Sequence, residues 1–189
     1  MASLTGYAGI APRIGGVIIS EDNYNFAPGS VVQINSNALP GGENDFLPFN
    51  GLEGVINNLD LANPVGELIE IPGAFTFFLE SVDTPVFIET AFGTTNQFSG
   101  TGQFISETGD VTEGLINFSA DYVGFSQEQA IDLTSASNNF VASWSLNTVA
   151  FEPIGETIDI DEPSMAYGLL LLVALLFGFT RSRSRKPNN

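Results

Sequence analysis

The side chains that could do chemistry in this chain are almost all carboxylates. It carries 22 Asp and Glu but no histidine and no cysteine. That excludes zinc sites built from Cys and His, Ser-His-Asp triads and thiol nucleophiles. Carboxylates leave two chemistries open. A pair at a set separation can hydrolyse a glycosidic bond, and oxygens gathered from adjacent loops can hold calcium. With 22 available, the sequence singles out no pair, so no catalytic residue is named and the chain reads as non-enzymatic. Asp22 with Asn23, and Asn44 with Asp45, are the loop pairs that could supply calcium oxygens; a solvated turn is the simpler reading of each. Asp159-Ile160-Asp161 begins like a calcium loop, but Pro163 stands where a third ligand belongs and no loop glycine follows.

Other short motifs reduce to structure. Gly100-Thr101-Gly102 lacks the lysine and the spacing of a phosphate loop and reads as a hairpin turn. Asn117-Phe118-Ser119 fits a glycosylation sequon, but a phenylalanine facing the core makes it a strand. Sixteen phenylalanines fall mostly within apolar runs, where they read as the shared core of two packed sheets rather than a binding platform.

Charge is strongly segregated. Residues 1–164 hold all 22 carboxylates and one cation, Arg13, for a net −21, whereas the last 25 residues hold four cations and no acid. A surface so poor in Lys and Arg repels phosphate, which argues against nucleic acid as a partner. The four cations, Arg181, Arg183, Arg185 and Lys186, follow an uncharged run from Met165 to Phe179. Fifteen helical residues span about 22 Å, short of the ~30 Å hydrocarbon core. Snorkelling arginines or local bilayer thinning make up the difference. The expectation is one transmembrane helix over 165–180 with a basic cytoplasmic tail over 181–189, which leaves the acidic part across the membrane.

Immediately before the helix stand Glu162, Pro163 and Ser164. Glu-Pro-Ser, a short apolar helix and an arginine cluster, in that order at a C-terminus, resemble the PEP-CTERM sorting signal of bacterial surface proteins. The resemblance covers residues 161–186, with Asp161 where the family has its first proline. It implies a membrane partner, recognition by an exosortase-like processing enzyme, and association with exopolysaccharide or the cell envelope. It also implies export, either anchored in the inner membrane or released to the surface after processing. Residues 1–20 lack the charged start and continuous apolar stretch of a secretory signal, so the expectation is either an export signal upstream of Met1 or a tail that inserts without classical export.

The elements that must position any site are strands. Turn residues recur about every ten positions, between short runs rich in Val, Ile, Phe and Thr. Candidate strands are Gly16–Ser20, Ser30–Asn35, Leu52–Asn57, Glu67–Ile71, Ala74–Ser81, Pro85–Ala91, Asn96–Ser106, Thr112–Tyr122 and Asn139–Phe151. In the last, Phe140, Ala142, Trp144 and Leu146 share one face by the two-residue period. Thr112–Phe118 alternates less strictly. Phe26–Gly42, with Pro28, Pro40 and paired glycines, reads as loop and bend, and Gln127–Asp132 as one helical turn. Residues 1–151 are thus expected to form a single all-β domain, a β-sandwich or jelly roll. An acidic linker, 152–164, then joins it to the membrane helix. The function expected is a displayed, non-catalytic surface protein, with a calcium-dependent carbohydrate-binding module as the alternative.

Overall fold

The computed structural model describes residues 4–37, 44–135 and 140–151. The chain falls into two units, Met1–Pro153 and Ile154–Asn189. The acidic linker, the expected membrane helix, the sorting residues Glu162, Pro163 and Ser164, and the cations Arg181, Arg183, Arg185 and Lys186 all lie outside the described residues. Among those residues, no helix is long and apolar enough to cross a membrane.

Strands make up 62% of the described residues, against a typical 20–25%, so the all-β expectation holds. In chain order they are β1 (Gly6–Ile14), β2 (Val17–Ser20), β3 (Asn23–Phe26), β4 (Val31–Asn35), β5 (Glu53–Ile56) and β6 (Leu59–Asp60). There follow β7 (Gly66–Ile71), β8 (Phe75–Val82), β9 (Val86–Thr90), β10 (Gly93–Ser106), β11 (Val111–Val123) and β12 (Val141–Phe151). One helix, α1 (Gln127–Ser135), lies between β11 and β12, where the sequence predicts a helical turn.

The strands do not divide into two facing sheets. β1, β4, β5, β7, β8, β10, β11 and β12 pair in that order, all antiparallel. The ring then closes, β1 running against β12 from Gly6 opposite Ala150 to Ile10 opposite Leu146. The domain is therefore a closed eight-stranded barrel, not the expected sandwich or jelly roll. Period-two alternation is the same in both architectures; what decides is the closing strand. That strand is β1, whose Gly6, Gly9 and Pro12 hide it in the sequence. Closure removes the free edges that an open sheet would expose.

A smaller sheet branches from the barrel wall. The start of β12 pairs with β2, β2 with β3, and β3 with β6. The corner between β1 and β2 needs Gly15, whose φ of 95° an L side chain adopts only with strain.

Inside the barrel, alternation supplies the core. β12 is buried at every even position from Ala142 to Ala150 and exposed at every odd one. β11 alternates more strictly than its sequence suggests, with Thr112, Gly114, Ile116, Phe118, Ala120 and Tyr122 inward. An eight-stranded barrel is just wide enough for its side chains to fill, and here aromatic rings do much of the filling. Phe46, Phe75, Phe77 and Phe104 meet mostly edge to face, with centroids 4.7–5.5 Å apart. A second group joins Tyr24, Phe26, Phe98, Phe118 and Trp144. Phe26, Phe46, Phe75, Phe77, Phe98, Phe104 and Phe118 are thus core, as expected, but of a barrel and its side sheet rather than of a sandwich, whereas Phe78, Phe92 and Phe151 are exposed. Gly100-Thr101-Gly102 is not a hairpin turn either. It lies mid-strand in β10, where the pairing with β8 shifts register between Thr101 and Gly102. A Cβ on Gly102 would collide with the Phe78 carbonyl oxygen and reach the Phe77 ring at 2.9 Å, so glycine is there for close backbone approach. The loop-and-bend reading of Phe26–Gly42 fails at Val31–Asn35, which is β4 and matches the separate candidate strand Ser30–Asn35; residues 38–42 lie outside the described ones.

Candidate functional site

Because the inner positions are packed and mostly apolar, with the buried Thr94, Asn96, Thr112 and Thr148 sealed from solvent, the chemistry available to a ligand lies on the outer face of the barrel wall. There the sequence places Ser, Thr, Asn and Gln. Register brings Ser99 of β10 opposite Asn117 of β11, Asn117 opposite Asn147 of β12, Asn147 opposite Gly9 of β1, and Gly9 opposite Asn35 of β4. These five positions form one line across five strands. At ~4.8 Å per strand it runs about 19 Å. Ser99 Oγ donates to Asn117 Oδ1 at 2.8 Å. The Asn147 and Asn35 side chains make no hydrogen bond to another described residue.

A cleft of about 300 Å³ opens at the Ser99 end, lined by Asp83, Thr84, Val86, Gln97, Ser99 and Asn117. Its origin is topological. One edge of β10 is shared in turn by two strands, β9 at Gly93–Gln97 and β8 from Gly100 onward. The Asp83-Thr84-Pro85 link between them leaves this edge of β10 without a paired strand at Phe98–Ser99, where the Asp83 N–H donates to the Ser99 carbonyl at 2.8 Å.

Rows on either side differ in character. Towards Gly93, Ser119 and Ser145 hydroxyls meet at 2.9 Å and Thr95 Oγ1 donates to Asp121 Oδ1 at 2.8 Å. In the opposite direction Thr101, Leu115, Val149 and Tyr7 align, with Leu115 and Val149 each 38% exposed. The amide line therefore has hydroxyls along one side and an apolar ledge along the other.

Buried polar groups sit below this face and are structural. The Tyr24 hydroxyl donates to Asn96 Oδ1 at 2.6 Å, both residues being 1% exposed. Burial, reinforced by the neighbouring Tyr122, pushes the Tyr24 phenol well above its ordinary range, although the bond to Asn96 opposes the shift. Burial alone pushes Tyr122 up to about 12.

Among the described residues, the pairs that the sequence offers as calcium ligands make other contacts. Asp45 Oδ2 accepts from the Thr5 N–H at 2.8 Å and the Thr5 hydroxyl at 2.9 Å. Asn44 Nδ2 reaches the Tyr7 carbonyl and the Ser36 hydroxyl, each at 2.9 Å. This pair fastens the start of β1 to the segment before β5. Asp22 belongs to the β2–β3 turn, and Asn23 pairs with Asp60. Among the described residues no three acidic side chains are grouped as a metal site would need. Asp159 and Asp161 lie outside them. Asn117, considered as a glycosylation acceptor, stands on the outer face with Phe118 turned into the core.

Sequence reasoning misses the amide line because its members are separated by 18 to more than 100 residues and meet only through barrel register. Its one local trace is the run of Ser and Asn at alternate positions of β12. Compared with known proteins, the chain matches no family model, no curated protein and no solved structure.

Proposed function

We propose that this is an exported, non-catalytic surface protein: a β-barrel carried on an acidic linker, held or released by a C-terminal signal that resembles the PEP-CTERM type, and associated with exopolysaccharide. The observation that carries this reading is the segregation of charge, with a net −21 over residues 1–164 and four cations behind an uncharged apolar run. Moving a single charge to the bilayer centre costs about 3 kcal/mol on insertion scales. Four together oppose passage of the tail and keep it cytoplasmic. The barrel adds support of a different kind. Its interior is filled with aromatic rings, which leaves the outer faces for contact with the cell envelope, as display requires.

The test is fractionation and blotting of the epitope-tagged chain, fused to a bacterial export signal, in a host that carries the sorting enzyme. Replacing Arg181, Arg183, Arg185 and Lys186 with serine should release the protein into the medium. Replacing Glu162 and Pro163 should leave a longer, unprocessed species at the membrane. A four-serine variant that fractionates and migrates as the parent does would overturn the reading.

A further inference from the structure

We infer that the amide line Asn35–Gly9–Asn147–Asn117–Ser99 binds a neutral polysaccharide chain laid across the strands. This rests on the surface-protein reading above and assigns it a ligand class and a site. A sugar polymer presents two kinds of surface, hydroxyls that both donate and accept, and ring faces made of C–H groups. The barrel wall offers the counterparts side by side. An amide carries donors and an acceptor in one plane, so Asn35, Asn117 and Asn147 can each engage a neighbouring pair of hydroxyls. The Asn35 and Asn147 amides are not already engaged by another described residue. Two positions along the same strands, about 6.7 Å away, the Leu115–Val149–Tyr7 ledge supplies apolar surface for a ring face.

The centre of the line is a notch. Gly9 faces outward between Asn147 and Asn35, with Ala8 and Ile10 buried beneath. A Cβ there would lie 3.6 Å from Asn147 Oδ1 and 3.5 Å from the Asn35 carbonyl oxygen. Those are ordinary contacts, so glycine is not needed for folding at this point. Its effect is to leave a gap the width of one Cβ between two amides that no other described residue engages. The line ends at the Asp83–Ser99 cleft, which gives a chain somewhere to continue.

Charge selects neutral polymers. None of the amide line or the ledge is charged, so nothing there neutralises a uronate or a sulfate. The surrounding protein, with one cation against 22 carboxylates before residue 165, repels both.

The experiment is affinity electrophoresis of the full chain in detergent, through native gels cast with mixed-linkage β-glucan, galactomannan, dextran or, as the anionic counterpart, polygalacturonate. At least one neutral polymer should retard the protein and polygalacturonate should not. Asn117→Ala and Asn147→Ala should each weaken retardation about fivefold, the worth of one lost hydrogen bond. Gly9→Leu should abolish it while the melting temperature stays near that of the parent. If Gly9→Leu fails to fold, the two outward Asn→Ala variants carry the test by themselves. Three results overturn the inference: retardation by none of the neutral polymers, equal retardation by polygalacturonate, or folded variants that bind as the parent does. The fractionation result does not depend on any sugar. A chain that sorts as proposed but ignores all three neutral polymers refutes this inference alone.

Discussion

Tyr24 and Asn96 meet inside the protein with their polar atoms 2.6 Å apart, the tyrosine carried by the side sheet and the asparagine by the barrel wall. The bond satisfies two groups that are otherwise sealed in an aromatic surround, Phe98 and Phe118 packing edge-on against the Tyr24 ring. It also fastens β3 to β10, which share no strand pairing. Tyr24→Phe keeps the ring and removes the donor, leaving Asn96 Oδ1 buried and unpaired. The expected loss is about 1–3 kcal/mol, read as a lower urea midpoint with an unchanged slope. A midpoint equal to the parent's would show that Asn96 finds another donor.

The same burial makes the fold sensitive to alkali. Tyr24 and Tyr122 have folded-state pKa values above the ordinary 10, Tyr122 at about 12. Between these values the folded chain keeps protons that the unfolded chain has released. Stability is therefore intact below pH 10 and falls as pH rises above it, by about 1.4 kcal/mol per pH unit for each such tyrosine. Melting temperature against pH should bend downward near 10, and Tyr122→Phe should reduce the slope beyond the bend. A profile flat to pH 12 would mean that both phenols titrate as if exposed.

How far the sequence anticipates the barrel depends on how each strand is written. β12 spells its alternation in full, and its inward set of Ala142, Trp144 and Leu146 is as the two-residue period predicts. α1 falls where Gln127–Asp132 suggests a helical turn. β1, β3 and β6 are not legible, for different reasons. β1 carries two glycines and a proline, and its place is set by β4 and β12 on either side. β3 and β6, four and two residues long, are too short for any period to register. Barrel closure cannot be read from alternation at all, because an inward face looks the same in a sandwich. The amide line is hidden likewise: Asn35, Asn117 and Asn147 become neighbours only when the ring closes at β1.

Phe104 is the ring on which one end of the core depends. It is fully buried and packs against Phe46, Phe75 and Phe77 at 5.3, 5.1 and 4.7 Å between centroids. Phe104→Ala should cost about 3–5 kcal/mol, since three packed rings cannot collapse into the space vacated. Phe92, 83% exposed in the turn between β9 and β10, is the control. Phe92→Ser should change stability by no more than about 0.5 kcal/mol. Chemical denaturation of both variants checks the pair, and similar losses would mean that this end of the core is loosely packed.

Gly102 separates the effect of backbone freedom from that of space. In an open strand position, replacing glycine with alanine gains roughly 0.5–1 kcal/mol, because the unfolded chain loses entropy. At Gly102 the added Cβ meets the Phe78 carbonyl oxygen, a backbone atom fixed by the β8–β10 pairing, and the Phe77 ring behind it. The strands would have to part at the register shift, so Gly102→Ala should destabilise despite the entropic gain. Gly66 in β7 provides the comparison, since a Cβ there meets nothing within 4 Å. Gly66→Ala should be neutral or stabilising. The two variants should therefore shift the urea midpoint in opposite directions, or Gly102→Ala alone should lower it. If Gly102→Ala matches or exceeds the parent, β8 and β10 can move apart cheaply, and the close approach at the register shift is not what requires glycine.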